Sequence, residues 1–199
     1  MHFLFWSGGK DSYMALELFT QEYPDAEITL LATYNQDTGT LPWQGISVNE
    51  IKKQAAQLDY PLITVPLPPE PSNQIYLDAI DEALKEAGNP DGQPELIFGD
   101  WANEEIREWR VQVFRDQRNY ACHFPIWNKS LHELFAILVF KPVRVFISYV
   151  QERWQPYLRV GEEYTQQLVR MLPEDMDPMG ENGEFHTRVE IRSLNEDVV

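Results

Sequence analysis

The sequence predicts an α/β fold, a mostly parallel sheet with helices on both faces. Three observations carry that expectation. Short apolar runs alternate with amphipathic segments along the first 150 residues, the pattern of βαβ units. The run within Glu27 to Tyr34 is nearly continuously apolar (Ile28, Leu30, Leu31, Ala32), as expected of a strand covered on both faces. Helix-start signals stand where the alternation needs them: Ser47-Val48-Asn49-Glu50 and Ser130-Leu131-His132-Glu133 both read as capping boxes.

Taken in order, Phe3-Leu4-Phe5-Trp6 forms the first strand and Ser12 to Tyr23 the first helix, closed by Pro24. Glu27 to Tyr34 is the second strand. Asn35 to Gly45 is a polar loop containing Gly39, Pro42 and Gly45. A helix runs from Ser47 to about Leu58, and Pro61 to Leu67 is the third strand. Ser72 caps a helix with Ile75, Ile80, Leu84 and Ala87 on one face, ending at Gly88. Asn89 to Pro94 is a turn-rich loop, Glu95 to Phe98 the fourth strand, Asn103 to Arg118 a helix, and Tyr120 to Trp127 the fifth strand. Ser130 to Phe140 is helical, and Val143 to Val150 is a sixth strand rich in β-branched and aromatic residues. The pattern then changes. Residues 1–150 read as one α/β domain and 151–199 as a small α+β extension packed on it, with a helix at Glu162 to Leu172, a strand at Arg188 to Ile191 and a frayed tail at Asn195–Val199.

The first strand–helix junction, Ser7-Gly8-Gly9-Lys10-Asp11-Ser12, is the densest motif. A glycine turn at a helix start offers backbone N–H groups at the positive end of the helix dipole. Gly8 and Gly9 let an anion approach closely, Lys10 adds a flexible point charge, and Ser7 and Ser12 add hydroxyls. The turn reads as a phosphate cradle, although the pattern is not the common P-loop, which places a glycine block before Gly-Lys-Ser/Thr. Ligands of open parallel sheets bind beyond the carboxyl ends of the strands. The cradle, Gly99-Asp100 and Pro125-Ile126-Trp127 all fall at such ends.

Composition narrows the classes. The 199 residues include 16 basic and 32 acidic ones, a formal charge of −16, which argues against a nucleic-acid backbone and an anionic membrane as partners. Cys122 is the single cysteine, so no intrachain disulfide forms, and a reducing cytoplasmic setting is expected. Lys10 and Asp11 interrupt the N-terminal apolar run too early for a signal peptide.

A second dense cluster lies at Gly180-Glu181-Asn182-Gly183-Glu184-Phe185-His186-Thr187. Two carboxylates and an imidazole within six positions can accept protons, hold an amine or bind a metal; a glycine turn leading into a polar edge strand is the alternative. The hexapeptide Ser7–Ser12 resembles the PP-loop of the N-type ATP pyrophosphatases. Together with Gly99-Asp100, the stretch to Arg107-Glu108-Trp109, Pro125-Ile126-Trp127 and the C-terminal octapeptide, the chain over about residues 1 to 192 resembles the diphthine–ammonia ligase family. It departs from many relatives at Gln44-Gly45, where they have histidine–glycine, and at Val111-Gln112, where a glutamate is usual.

The resemblance implies an adenine nucleotide alpha hydrolase-like, Rossmann-like domain and an ATP-dependent, AMP-forming amide ligase. ATP would lie on Ser7, Gly8, Gly9, Lys10, Asp11, Ser12 and Gly99. Magnesium would be held by Asp11 or Asp100, although Asp11 could instead serve only the turn. Lys10, Asp100, Glu181 and Glu184 would carry the chemistry, the two glutamates receiving the amine. Arg107, Trp127, Asn182, His186 and Thr187 would bind substrate, with a helix-surface arginine, a core tryptophan and a structural histidine as competing roles for Arg107, Trp127 and His186. The partners implied are a carboxylate, on a small molecule or a translation-factor side chain, and ammonia; a homodimer is compatible. Non-catalytic binding of ATP or AMP, ligation of a different small acid, and a tRNA-modifying PP-loop activity are the alternatives. The acidic charge and the lone cysteine weigh against the last.

Overall fold

The computed structural model describes residues 1–42, 44–88 and 93–192. The expected tail at Asn195–Val199 and most of the loop Asn89 to Pro94 lie outside the described residues. Five parallel strands form the main sheet: β1 (His2–Phe5), β2 (Ile28–Asn35), β3 (Leu62–Leu67), β4 (Glu95–Ile97) and β5 (Ala121–His123), in the order β3-β2-β1-β4-β5. The chain winds outward from β1 to β3 and then restarts on the other side at β4. The strand order therefore reverses between β1 and β4, where open α/β sheets place their ligand crevice.

Strand alternation feeds two cores, one on each face. Leu4, Leu30 and Ile97 point into a cluster with Met14, Ala15 and Phe19 of α1 (Lys10–Glu22), Ile51 and Ala55 of α2 (Val48–Leu58) and Leu134 of α5 (Leu131–Phe140). Phe3, Leu31 and Leu96 point into the other, with Leu77, Ile80 and Leu84 of α3 (Asn73–Glu86) and with Phe114. Phe5, Phe98, Phe114 and Phe124 stack in a chain, with ring centroids 4.7 Å apart for Phe5–Phe98, 5.6 Å for Phe98–Phe114 and 5.5 Å for Phe98–Phe124. Burying each large apolar side chain contributes about 1.5–3 kcal/mol.

Both capping boxes form. Ser47 Oγ accepts from Glu50 N at 3.2 Å and Ser130 Oγ from Glu133 N at 3.3 Å, with the glutamates bonding back to the cap nitrogens. Ser72 caps α3 as expected.

Four elements differ from expectation. The helix beginning near Asn103 is α4 (Glu104–Arg110) followed by a π-helical turn, Val111–Asp116. The fifth strand ends at His123, because Pro125 cannot donate to a ladder and Trp127 N turns back to Phe124 O at 3.1 Å. Between Glu162 and Leu172 only α6 (Gln166–Val169) is helical. The residues before it are drawn to the neighbouring strand instead: Ile147 N donates to Glu162 O and Tyr164 N to Val145 O, each at 2.8 Å. Thr165 then caps the shortened helix. Finally, β6 (Val143–Val150) is a strand but stays out of the main sheet. It pairs antiparallel with β7 (Phe185–Ile191), a ribbon that straddles the expected boundary at residue 150.

Candidate functional site

A cavity of about 370 Å³ opens at the reversal point, within the usual range of ligand pockets. Its walls come from both ends of the chain: Ser7, Gly9, Lys10, Asp11 and Ser12 after β1, Gly99 and Asp100 after β4, and Gly180, Glu181, His186 and Thr187 from the C-terminal segment. The two motifs that stand out in the sequence thus share one cavity.

The glycine turn is built as its composition implies. Gly8 adopts φ +75°, and a Cβ there would lie 2.6 Å from Ile51 Cδ1 and 2.7 Å from Gln54 Oε1. Gly9 is the N-cap of α1 and supplies no side-chain cap, and Thr187 Oγ1 takes the first helical N–H, that of Lys10, instead. Ser12 Oγ donates to Gly9 O at 3.0 Å and lies 3.2 Å from Ser7 Oγ, fixing both hydroxyls at the turn. Gly99 is packed against this start of the helix: a Cβ would meet the Asp11 carbonyl carbon at 2.8 Å and Ser12 N at 2.9 Å.

The turn is tied to the ribbon. Val189 N donates to Gly8 O at 2.8 Å and Lys10 N to Thr187 Oγ1 at 3.1 Å. Gln54 completes the tie. Its Nε2 donates to Gly8 O at 3.1 Å and Val189 O at 2.8 Å, while its Oε1 accepts from Trp6 Nε1 at 3.0 Å. Thr187, expected to touch substrate, is 3 % exposed; it lines the cavity and its Oγ1 holds the glycine turn.

Lys10 is not the flexible charge the sequence suggests. It is 2 % exposed, donates to Met179 O at 2.6 Å and to Asp11 Oδ2 at 2.9 Å, and lies 5.4 Å from the ring centroids of both Tyr164 and Phe185. Its ammonium is preoriented at the cavity wall. Burial raises the Asp11 carboxyl above its usual range, with Lys10 acting against the shift. Asp11 Oδ1 is buried without a partner.

Asp100 is paired with Arg110, which the sequence did not single out: Arg110 Nε lies 2.6 Å from Asp100 Oδ2 and Nη2 donates to Oδ1 at 3.2 Å. Burial works against the Arg110 charge, but Asp100 and Tyr76 more than restore it. Arg110 and Tyr76 line the cavity. Arg107, the expected substrate arginine, does not. Its guanidinium lies over Trp127 at 4.7 Å and Phe124 at 5.2 Å, so Arg107 and Trp127 pack on each other outside the cavity wall.

The two glutamates separate. Glu181 faces the cavity, and its Oε2 accepts from Ala102 N at 3.3 Å and Asn103 N at 3.2 Å. Burial, then the Asp11 charge, push its carboxyl up to about 7. Glu184 is 5 % exposed and absent from the cavity wall. Its carboxylate accepts from Asp177 N at 3.2 Å, Asn182 N at 3.0 Å and Asn182 Nδ2 at 3.1 Å, which shapes the loop that presents Glu181. Asp177, which carries no motif signal, assists by accepting from Met179 N and Glu181 N through Oδ1. His186 lines the cavity, and burial followed by the Lys10 charge lowers its pKa, so it is neutral near pH 7.

Among the described residues no three His, Cys, Asp or Glu side chains form a metal cage. Asp11 and Asp100 still fit a magnesium ion, because that ion takes one or two carboxylates and completes its shell with phosphate oxygens and water. The unpartnered Asp11 Oδ1 is the donor such an ion would use.

No protein-family model matches the chain, and no curated protein matches it. Among solved structures, a predicted subunit of a tRNA methyltransferase from Methanocaldococcus jannaschii aligns over 86 % of this chain and 85 % of that one, with 13 % identity and a TM-score of 0.47. The U34-tRNA thiolase NcsA from Methanococcus maripaludis, with its [4Fe-4S] cluster, aligns over 70 % of this chain at 12 % identity and a TM-score of 0.38; the chain spans 56 % of its length.

Proposed function

We propose that the protein is an ATP-dependent, AMP-forming amide ligase of the PP-loop type, the activity implied by its resemblance to the diphthine–ammonia ligases. The observation that carries the reading is the convergence of the glycine turn and Glu181 on one cavity from opposite ends of the chain. A substrate carboxylate oxygen attacks the α phosphorus, the bond to the β-phosphate oxygen breaks, and pyrophosphate leaves with its electron pair. The Gly9 region, Ser7, Ser12 and Lys10 stabilise charge where it grows on the leaving group. Ammonia then attacks the acyl carbon, the bond to AMP breaks, and the surplus proton passes to Glu181. A carboxyl near 7 can accept and release that proton at neutral pH. Magnesium, which Asp11 or Asp100 would hold, would supply positive charge along the polyphosphate.

The test is AMP and pyrophosphate release from ATP with magnesium and ammonium, across a panel of carboxylic acids and translation factor 2. Acid-dependent AMP that disappears in Lys10→Met supports the reading. Glu181→Gln should keep acid-dependent exchange of pyrophosphate into ATP but lose amide. Tight nucleotide binding without AMP, for any acid in the panel, favours the second reading, a nucleotide-binding protein without turnover. That alternative draws on Lys10, whose ammonium is already engaged within the fold. Both solved structures named above are described as acting on tRNA; for this chain the charge of −16 opposes that role, and salt-dependent RNA binding would reinstate it.

A further inference from the structure

A second cavity, of about 450 Å³, adjoins the first and shares Pro42, Gln44, Gly180, Glu181 and His186 with it as walls. Its chemistry is different. The phosphate cavity contains Lys10 and Arg110, whereas among the described residues the walls of the second contain no lysine or arginine. Its polar groups are the side-chain amides of Gln44, Gln151 and Asn182, and Glu181 stands at the junction. Asn182 spends its Nδ2 on Glu184, leaving its carbonyl oxygen uncommitted by that bond. Tyr149 and His186 are register partners across the ribbon, beside the β-bulge between Ile147 and Tyr149. Their rings lie against each other at a tilt, with centroids 5.5 Å apart and planes 33° apart. Tyr149 is 37 % exposed, so the pair presents an aromatic surface to an occupant.

We propose that this second cavity is the subsite for the non-reacting body of the acceptor substrate, and that it takes a planar, uncharged, hydrogen-bonding group while rejecting anions. Amides satisfy donors and acceptors alike, whereas an anion would find no cation and would face Glu181. The exposed ring of Tyr149 beside His186 favours a flat occupant. This rests on the ligase reading, since the reacting carboxylate would then point across Glu181 into the phosphate cavity.

The probe is nicotinamide, a flat neutral amide, against nicotinate, its anionic counterpart. Both are titrated by ligand-observed NMR near pH 8, with and without AMP. Nicotinamide is expected to bind at least tenfold tighter than nicotinate. Tyr149→Ala and, separately, Gln151→Leu should each weaken nicotinamide at least fivefold. Thermal midpoints show whether either variant has lost its fold, and the one that retains it is used. Equal or tighter binding of nicotinate overturns the proposal, as does nicotinamide binding that survives substitution or no nicotinamide binding at all. Failure of AMP to bind while nicotinamide discriminates as expected would count against the ligase reading and leave the chamber's selectivity standing.

Discussion

Replacing Glu181 by glutamine removes a charge that the fold disfavours, and the consequence for stability can be worked out. Burial holds the carboxyl at about 7, against the 4.5 of a free glutamate. A carboxyl raised on folding contributes stability that is fully present below about pH 4.5 and is lost as pH rises through about 7. At about 1.4 kcal/mol per unit the whole shift corresponds to at most about 3.5 kcal/mol. The side chain is partly exposed, and solvent screening reduces this to about 1–2 kcal/mol. Glu181→Gln keeps an acceptor for Ala102 N and Asn103 N but carries no charge. Its stability relative to wild type should therefore improve with pH, by about 1–2 kcal/mol between about pH 5 and pH 8.5. For a chain of this size that is roughly 2–8 °C in thermal midpoint. Urea denaturation of both proteins at the two pH values is the assay. Taking the difference between proteins cancels the titration of other groups to first order. A gap that stays constant with pH, or narrows in favour of wild type at high pH, would refute the assignment of Glu181 as a carboxyl near 7.

Other substitutions probe the frame of the site. Gly99→Ala forces a methyl against the backbone at Asp11 and Ser12 and should cost about 1–3 kcal/mol in urea unfolding, with weaker nucleotide binding by calorimetry. Gln54→Leu leaves Trp6 Nε1 without its acceptor and removes one donor each from Gly8 O, which keeps Val189 N, and from Val189 O, and a loss of about 2–3 kcal/mol is expected in the same unfolding assay. Lys10→Met strands Met179 O and leaves Asp11 without its cation, so ATP affinity measured by calorimetry should fall at least about tenfold even at low salt.

What could be read from the chain was local. Ser47 and Ser130 announce their helices because a capping box is complete within four residues. The glycines before Lys10 announce a tight turn because few other residues tolerate a backbone like that of Gly8. What stayed hidden depended on neighbours remote in sequence. Arg107 and Arg110 lie within one turn of each other in α4 and the spacing favours neither, yet only Arg110 reaches Asp100 and the cavity. Glu181 and Glu184 are equally plausible in a string of letters, and the turn decides which faces inward. Gln54 carries no motif signal, because its role lies in joining atoms 46 and 135 residues away. The helix expected from Glu162 to Leu172 was overruled by backbone pairing of its first residues with β6.

The stitching of the glycine turn to the ribbon has a consequence in time. The bond between Lys10 N and Thr187 Oγ1 closes a separation of 177 residues. Ser7 to Ser12 are synthesised well before β7, the strand that steadies Gly8 and Lys10. During synthesis the five parallel strands, all complete by His123, can pair while the cavity still lacks one wall. The cavity is then completed as a late step, after the sheet rather than with it. A nascent chain halted before β7 would hold most of its core around an unfinished cavity.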